Sequence, residues 1–310
     1  MVLNRLFSYM IIGMNEYVSL PFIEGRGEST PIPFERYLPE IKSGIVQSWL
    51  EKNQPEKEWI LEPMSASPKS ILEIARSGHK ILACVNNPII AFEIKQLAQP
   101  HKQQEYQAVL HELGLQKKGS ERLETHLLNL YLTRCASCGA EIPADYFIWR
   151  KAEGLPVVRC YQCPVCGDGG EHPVTPDDLE KLTPFKRSDP LHRARALERV
   201  PAGTREAREN LEATLKIYSE RSLYALFTLI NKVEGMQLSP QRRSLLDALL
   251  LSALDSGHNL WPTDEDRNPP RVLNTPAEYL ERNLWRVLET AINDWSGTTD
   301  PIPLSTWPDL

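Results

Sequence analysis

The stretch Glu58-Trp59-Ile60-Leu61-Glu62-Pro63-Met64-Ser65-Ala66-Ser67-Pro68, taken with Lys80-Ile81-Leu82-Ala83-Cys84-Val85-Asn86-Asn87-Pro88, decides the fold class. Residues 58–61 are a short apolar run after the polar segment 51–57 and read as a buried strand. Residues 62–68 stop that strand with turn chemistry. Pro68 then opens a helix, because proline loses no hydrogen bond at the first helical position. Ile71, Leu72, Ile74 and Ala75 supply the helix's apolar face, and Gly78 ends it. Residues 80–85 read as a second buried strand with Cys84 in its core, and Ile89, Ile90, Phe92, Ile94 and Leu97 mark a second helix. Strand, loop, helix, strand and helix within about 40 residues make a βαβ unit, whose strands run parallel.

The loop after the first strand of such a unit is where nucleotide-like cofactors bind, at a helix amino-terminus. A ribose needs a hydrogen-bonding partner at the end of the second strand. Glu62 and the pair Asn86-Asn87 are 24 and 25 residues apart, which suits that arrangement. The alternative reading of the same residues is a helix-end charge and two turn formers, which a loop without glycine favours. Spacing leaves both readings open.

Five of the six cysteines fall between positions 135 and 166. Cys135-Ala136-Ser137-Cys138-Gly139 and Cys163-Pro164-Val165-Cys166-Gly167 are two CxxCG knuckles with 24 residues between them. Two residues between thiolates let both sulfurs reach one ion, and the following glycine permits a tight turn. Together Cys135, Cys138, Cys163 and Cys166 supply the four soft ligands of a closed tetrahedral zinc site. Tyr146–Arg150 and Val157–Arg159 read as strands of a zinc ribbon. Cys160 is a spare thiol beside the metal. Four thiolates leave no open position, so the zinc is structural, holding together a module too small to bury enough surface alone.

The 310 residues carry a net charge of -6, which argues against a protein that coats nucleic acid, although a local basic patch remains compatible with it. No run of 18 apolar residues suggests a membrane-spanning helix. The first residues read as an ordinary amino-terminus rather than a signal peptide. Clustered cysteines without an export signal place the protein in the reducing cytoplasm. The histidines are scattered, and no Ser-His-Asp or Cys-His set emerges, so no catalytic residue is assigned.

Composition divides the chain into an amino-terminal extension at 1–57, the βαβ unit at 58–130, the zinc ribbon at 131–183, a basic linker at 184–206 and a helical region with a carboxy-terminal connector at 207–310. Between Lys186 and Arg208 there are seven Lys/Arg against three Asp/Glu. Lys186, Arg187, Arg193, Arg195 and Arg199 read either as phosphate contacts or as a solvated linker. Residues 207–218, 222–233, 240–254 and 277–295 carry apolar residues at helical spacing.

Residues 61–68, LEPMSASP, resemble the D-P-F-x-G-S-G loop of class I S-adenosylmethionine-dependent methyltransferases of the DNA adenine methylase type. Residues 81–88 are similar to the strand and D-x-N-P turn that follow it. The likeness continues in residues 33–39, PFERYLP, in the Cys-knuckle insertion, in residues 218–223 and in residues 281–285. Glu62 stands where the family has an acidic residue, and Pro63 and Ser67 match. Ala66 and Pro68 replace the two glycines, and Val85 aligns with the ribose-binding aspartate.

The resemblance implies a partial Rossmann-like methyltransferase unit with an inserted zinc ribbon and a helical region. S-adenosylmethionine would contact Glu62, Pro63, Ser65, Ala66, Ser67, Asn86 and Asn87. The family's D/N-P-P-aromatic loop accepts the amino group of a flipped base. Asn268-Pro269-Pro270-Arg271 lacks the aromatic residue and reads as a proline-rich loop. The expected protein is therefore the cofactor-binding half of a DNA methylase, its catalytic half lost or supplied by a second polypeptide. The ribbon and helices would contact DNA or that partner. The alternative is a non-catalytic zinc-ribbon module that binds DNA or protein on a degenerate methyltransferase scaffold.

Overall fold

The computed structural model describes residues 23, 25, 31–65, 67–201, 203–264 and 267–305. The expectations for Ala66 and for the first residues of the chain lie outside them. The protein is a mixture of helices and small sheets divided into two compact units, one formed by residues 1–30 and 38–94 and the other by 31–37 and 95–310.

The first unit contains α1 (Ile45–Asn53), β1 (Trp59–Glu62), α2 (Pro68–Arg76), β2 (Lys80–Ala83) and most of α3 (Pro88–Ala98). β1 and β2 pair in parallel, in the register Trp59↔Lys80 to Glu62↔Ala83. Pro68 sits in the first turn of α2, which buries Ile71, Leu72 and Ile74. The helix stops at Gly78, whose φ of 91° is one that a side chain rarely adopts. The βαβ order is thus as expected. The strands, however, are not buried: Trp59 is 57% exposed, Leu61 is 61% exposed, and Cys84 is exposed rather than in a core. Parallel strands read as apolar runs because such sheets are normally covered on both faces. Among the described residues the sheet has two strands, and one side of β1 is exposed.

The second unit continues with α4 (Gln103–Gly114), a hairpin of β3 (Lys117–Lys118) and β4 (Glu121–Arg122), and α5 (Leu123–Asn129). The ribbon follows as β5 (Leu132–Arg134), β6 (Glu141–Pro143), β7 (Tyr146–Arg150), β8 (Leu155–Gln162) and β9 (Gly169–Pro173). Next come α6 (Pro176–Glu180), α7 (Thr183–Arg199), α8 (Arg205–Leu215), α9 (Glu220–Gly235), α10 (Pro240–Ser256), β10 (Glu278–Arg282) and α11 (Leu284–Trp295). Among these, Ser219, Ser239 and Asn283 cap α9, α10 and α11 by accepting backbone N–H bonds from Ser222, Arg242 and Trp285.

Three expectations are corrected here. The basic segment 184–206 is not a linker: most of it is α7. Pro184 falls in the helix's first turn, where no donor is lost, and the helix runs on through Pro190 with no glycine before Gly203. Second, the expected helix at 277–295 starts only at Leu284, because 278–282 is a strand. Third, the expected limits at 130 and 183 are not unit boundaries. β10 pairs antiparallel with β7 in a four-stranded sheet of order β10-β7-β8-β9, so ribbon and helical region share one sheet and one unit. Residues 268–277 form neither helix nor strand, as the proline-rich reading of 268–271 requires.

Tyr131, Ala144, Phe147, Trp149, Leu182 and Tyr279 bring β7, β10 and the flanks of α5 and α6 into one core. Arg221 of α9 enters it with its guanidinium between the rings of Tyr131 and Phe147, 4.4 and 4.5 Å from their centroids. Among the described residues, no helix is long and apolar enough to cross a membrane.

Candidate metal centre and cofactor loop

The two knuckles fold alike. Cys135 N–H donates to Ala140 O at 2.9 Å and Gly139 N–H to Cys135 O at 3.0 Å. In the second knuckle Cys163 N–H donates to Asp168 O at 2.7 Å and Gly167 N–H to Cys163 O at 3.0 Å. Gly139 and Gly167 take φ values of 72° and 77°, which is why each CxxC is followed by glycine. The same backbone bonds, 28 residues on, present two further sulfurs.

All four Sγ atoms lie within 4.8 Å of one another, with Cys135–Cys166 at 3.6 Å and Cys138–Cys163 at 3.7 Å. A Zn–S bond of about 2.3 Å gives a tetrahedral edge of about 3.8 Å, so the quartet fits such an ion. The sequence-assigned ligands Cys135, Cys138, Cys163 and Cys166 are thus brought together as a site that can hold a metal ion such as zinc. Backbone N–H groups of Cys166, then of Val165, lower the Cys163 thiol to about 7, readying one thiolate. Four thiolates this close cannot all ionise without a cation among them. Cys160 is outside the quartet, half-buried on β8 opposite Tyr146.

A support missed at the sequence level surrounds the sulfurs. Asp168 Oδ2 accepts from Tyr161 Oη at 3.0 Å and lies 3.3 Å from Cys135 Sγ. Tyr161 Oη also accepts the Ala136 N–H at 2.8 Å, and His172 stacks on the Tyr161 ring at 4.8 Å. Asp168 directly after Gly167 was the available signal, since the knuckle's own backbone bonding fixes that position next to the sulfurs.

The candidate cofactor residues sit at one end of the β1–β2 pair. Glu62 ends β1 opposite Ala83, and the Cys84 N–H donates to Glu62 O at 2.9 Å, so the loop after β1 and the turn holding Asn86 and Asn87 leave the same carboxyl edge. Their side chains are engaged locally. Glu62 Oε1 accepts the Met64 and Ser65 N–H groups at 3.0 and 2.9 Å. Ser65 is buried with a φ of 42°, and its hydroxyl donates to Glu62 O. Pro63 is exposed, while Ser67 is buried as the residue that starts α2. Asn86 is exposed, and Asn87 Oδ1 accepts the Ile89 N–H at 2.9 Å, closing the first turn of α3. The edge is shared, but the loop wraps on its own acid.

No protein-family model, curated protein or solved structure matches this chain.

Proposed function

We propose that this protein is a DNA methyltransferase-like chain. On this reading it supplies the S-adenosylmethionine-binding half of an N6-adenine-type methylase, while a second polypeptide supplies the D/N-P-P-aromatic loop. The observation that carries the reading is the parallel register Glu62↔Ala83, because it gives the loop 62–67 and the turn 86–87 one common edge. The bare side of β1 at Trp59 and Leu61 supports a partner that completes the sheet. Glu62 and Ser65 would hold the methionine end of the cofactor and Asn86 and Asn87 its ribose. The cofactor would bring a transferable methyl group. Zinc in the four-cysteine site would hold the ribbon, and free thiols at that site suit a reducing cytoplasm. Isothermal calorimetry tests the reading: purified chain should give saturable heat with S-adenosylmethionine, and no heat at millimolar ligand would contradict it.

A second reading has its own support. Glu62 accepts two N–H groups of its own loop and Asn87 caps its own helix, the behaviour of a scaffold rather than an open cofactor site. On this reading the chain is a zinc-dependent binding module indifferent to S-adenosylmethionine. Partner binding that survives metal removal would overturn it.

A further inference from the structure

The two sulfurs of each knuckle differ in their surroundings. Cys135 and Cys163 are buried and pack with Ile142 and Tyr161 in a small core of their own. Cys135 Sγ lies 3.3 Å from Asp168 Oδ2, and Cys163 Sγ accepts from the N–H groups of Cys166 and Val165. Cys138 and Cys166, the second cysteine of each knuckle, are exposed. Among the described residues nothing covers this outer pair. A Cβ added at Gly139 or Gly167 would find no neighbouring atom within 4 Å, and Val165 at the second tip is 71% exposed. The quartet thus divides into an inner pair built into the ribbon and an outer pair open to small molecules.

A thiol that coordinates a metal is deprotonated outright, and the thiolate is the nucleophilic form. Oxidation follows thiolate character and exposure, and it becomes reversible where a second cysteine stands close enough to form a disulfide. Cys138 and Cys166 meet each condition when the site is filled. Their sulfurs lie within 4.8 Å of each other, a gap that two exposed side chains can close to the disulfide length of about 2.05 Å. Every other pairing within the quartet draws Cys135 or Cys163 out of its core. The surroundings have a hold of their own. The sheet β10-β7-β8-β9 packs around Tyr131, Phe147 and Trp149, and buried Arg159 of β8 donates to Thr133 and Asp178, both at 2.9 Å. β5 and β8, which lead into Cys135 and Cys163, are joined by this network. The roots of both knuckles are therefore held by groups other than the metal.

We propose that Cys138 and Cys166 are an oxidative modification site for hydrogen peroxide, at which a disulfide forms across the two knuckles and zinc is given up. The Cys138 thiolate attacks one peroxide oxygen: the S–O bond forms, the O–O bond breaks, and the departing hydroxide takes a proton from solvent to leave as water. The Cys166 thiolate then attacks the Cys138 sulfur. The S–S bond forms, the S–O bond breaks, and a second hydroxide leaves as water in the same way. Two electrons pass from the two sulfurs to one peroxide. Two remaining thiolates no longer close a tetrahedral site, so the metal is lost. A dithiol reverses the step by thiol–disulfide exchange. This rests on the zinc reading of the quartet and not on the methyltransferase-like one.

The test is a titration of zinc-loaded full chain with hydrogen peroxide, with a chelating dye reporting released metal and peptide mapping locating any disulfide. Wild type should lose all its bound zinc, one ion for each disulfide formed, and the map should join Cys138 to Cys166. Circular dichroism should show the sheet retained, and dithiothreitol with added zinc should restore the starting metal content. Cys84→Ser/Cys160→Ser removes the two thiols outside the quartet and should release zinc at the wild-type rate. Zinc retained in excess peroxide, a disulfide within one knuckle or to Cys160, slower release in the double variant, or a loss of sheet that reduction does not reverse would each overturn the proposal. Zinc content is measured before oxidant is added. A chain without zinc at that point overturns the zinc reading and this proposal together, whereas zinc that survives peroxide overturns the proposal alone.

Discussion

Arg221 and Glu281, 60 residues apart, form a buried ion pair: Arg221 Nε donates to Glu281 Oε1 at 3.2 Å and its Nη2 to Glu281 Oε2. Glu281 also accepts from Trp149 Nε1 at 2.6 Å and Ser219 Oγ at 2.5 Å. One carboxylate therefore joins α9, the ribbon strand β7 and β10. Removing one partner leaves an uncompensated buried charge, which costs about 3–5 kcal/mol. Arg221→Met should lower the urea midpoint accordingly, and Arg221→Met/Glu281→Gln should recover part of the loss. Trp149 fluorescence and helical dichroism should report one shared transition. A loss below about 1 kcal/mol, the size of an exposed pair, would show that the pair is not the joint between ribbon and helices.

Metal content tests the cysteine quartet. Thiol modification of the purified chain should release one zinc ion. Cys138→Ser and Cys166→Ser should lower bound zinc and destabilise the ribbon, while Cys84→Ser and Cys160→Ser should leave it unchanged. Zinc loss from Cys160→Ser equal to that from Cys166→Ser would reassign the ligand set.

Burial holds the His258 imidazole down at about 4 from an ordinary 6.5, with the Arg36 charge adding to the effect. Its ring is stacked on Trp261, and its Nδ1 accepts the Leu260 N–H at 3.2 Å, so the folded protein keeps it neutral. Between those two pKa values the unfolded chain binds the extra proton. Stability from this group is full above about 6.5 and falls as pH drops toward 4, by up to about 3 kcal/mol. His258→Gln should flatten that part of the pH–stability curve. An equal acid loss in the variant would assign it to other groups.

The Cys quartet and the βαβ order were legible because each is a local pattern: CxxCG spacing fixes two sulfurs per knuckle, and apolar runs broken by residues 62–68 and 86–88 fix strands and turns. What was not legible depends on partners far along the chain. The strand 278–282 has its mate at 146–150, and nothing local to EYLER separates it from the helix that follows. In 184–206 the two early prolines and the charge suggested a linker, but Pro184 occupies a helix's first turn, and packing of Arg193 and Ala196 fixes the rest. The exposure of Trp59, Leu61 and Cys84 was hidden for the opposite reason. An apolar run implies cover, and a sheet of two strands does not provide it.

The central claim is that the edge shared by Glu62 and Asn86-Asn87 receives S-adenosylmethionine. Glutamine at 62 keeps an oxygen for the Met64 and Ser65 N–H groups, so the loop is preserved while the charge is lost. The most direct measurement is therefore a calorimetric titration of wild type and Glu62→Gln, with unfolding midpoints as a control on the fold. Wild type should give saturable heat, and the variant should bind about tenfold or more weaker, as expected for loss of a charged hydrogen-bonding partner, at unchanged stability. Absence of heat in wild type, or equal affinity in the two proteins, would contradict it.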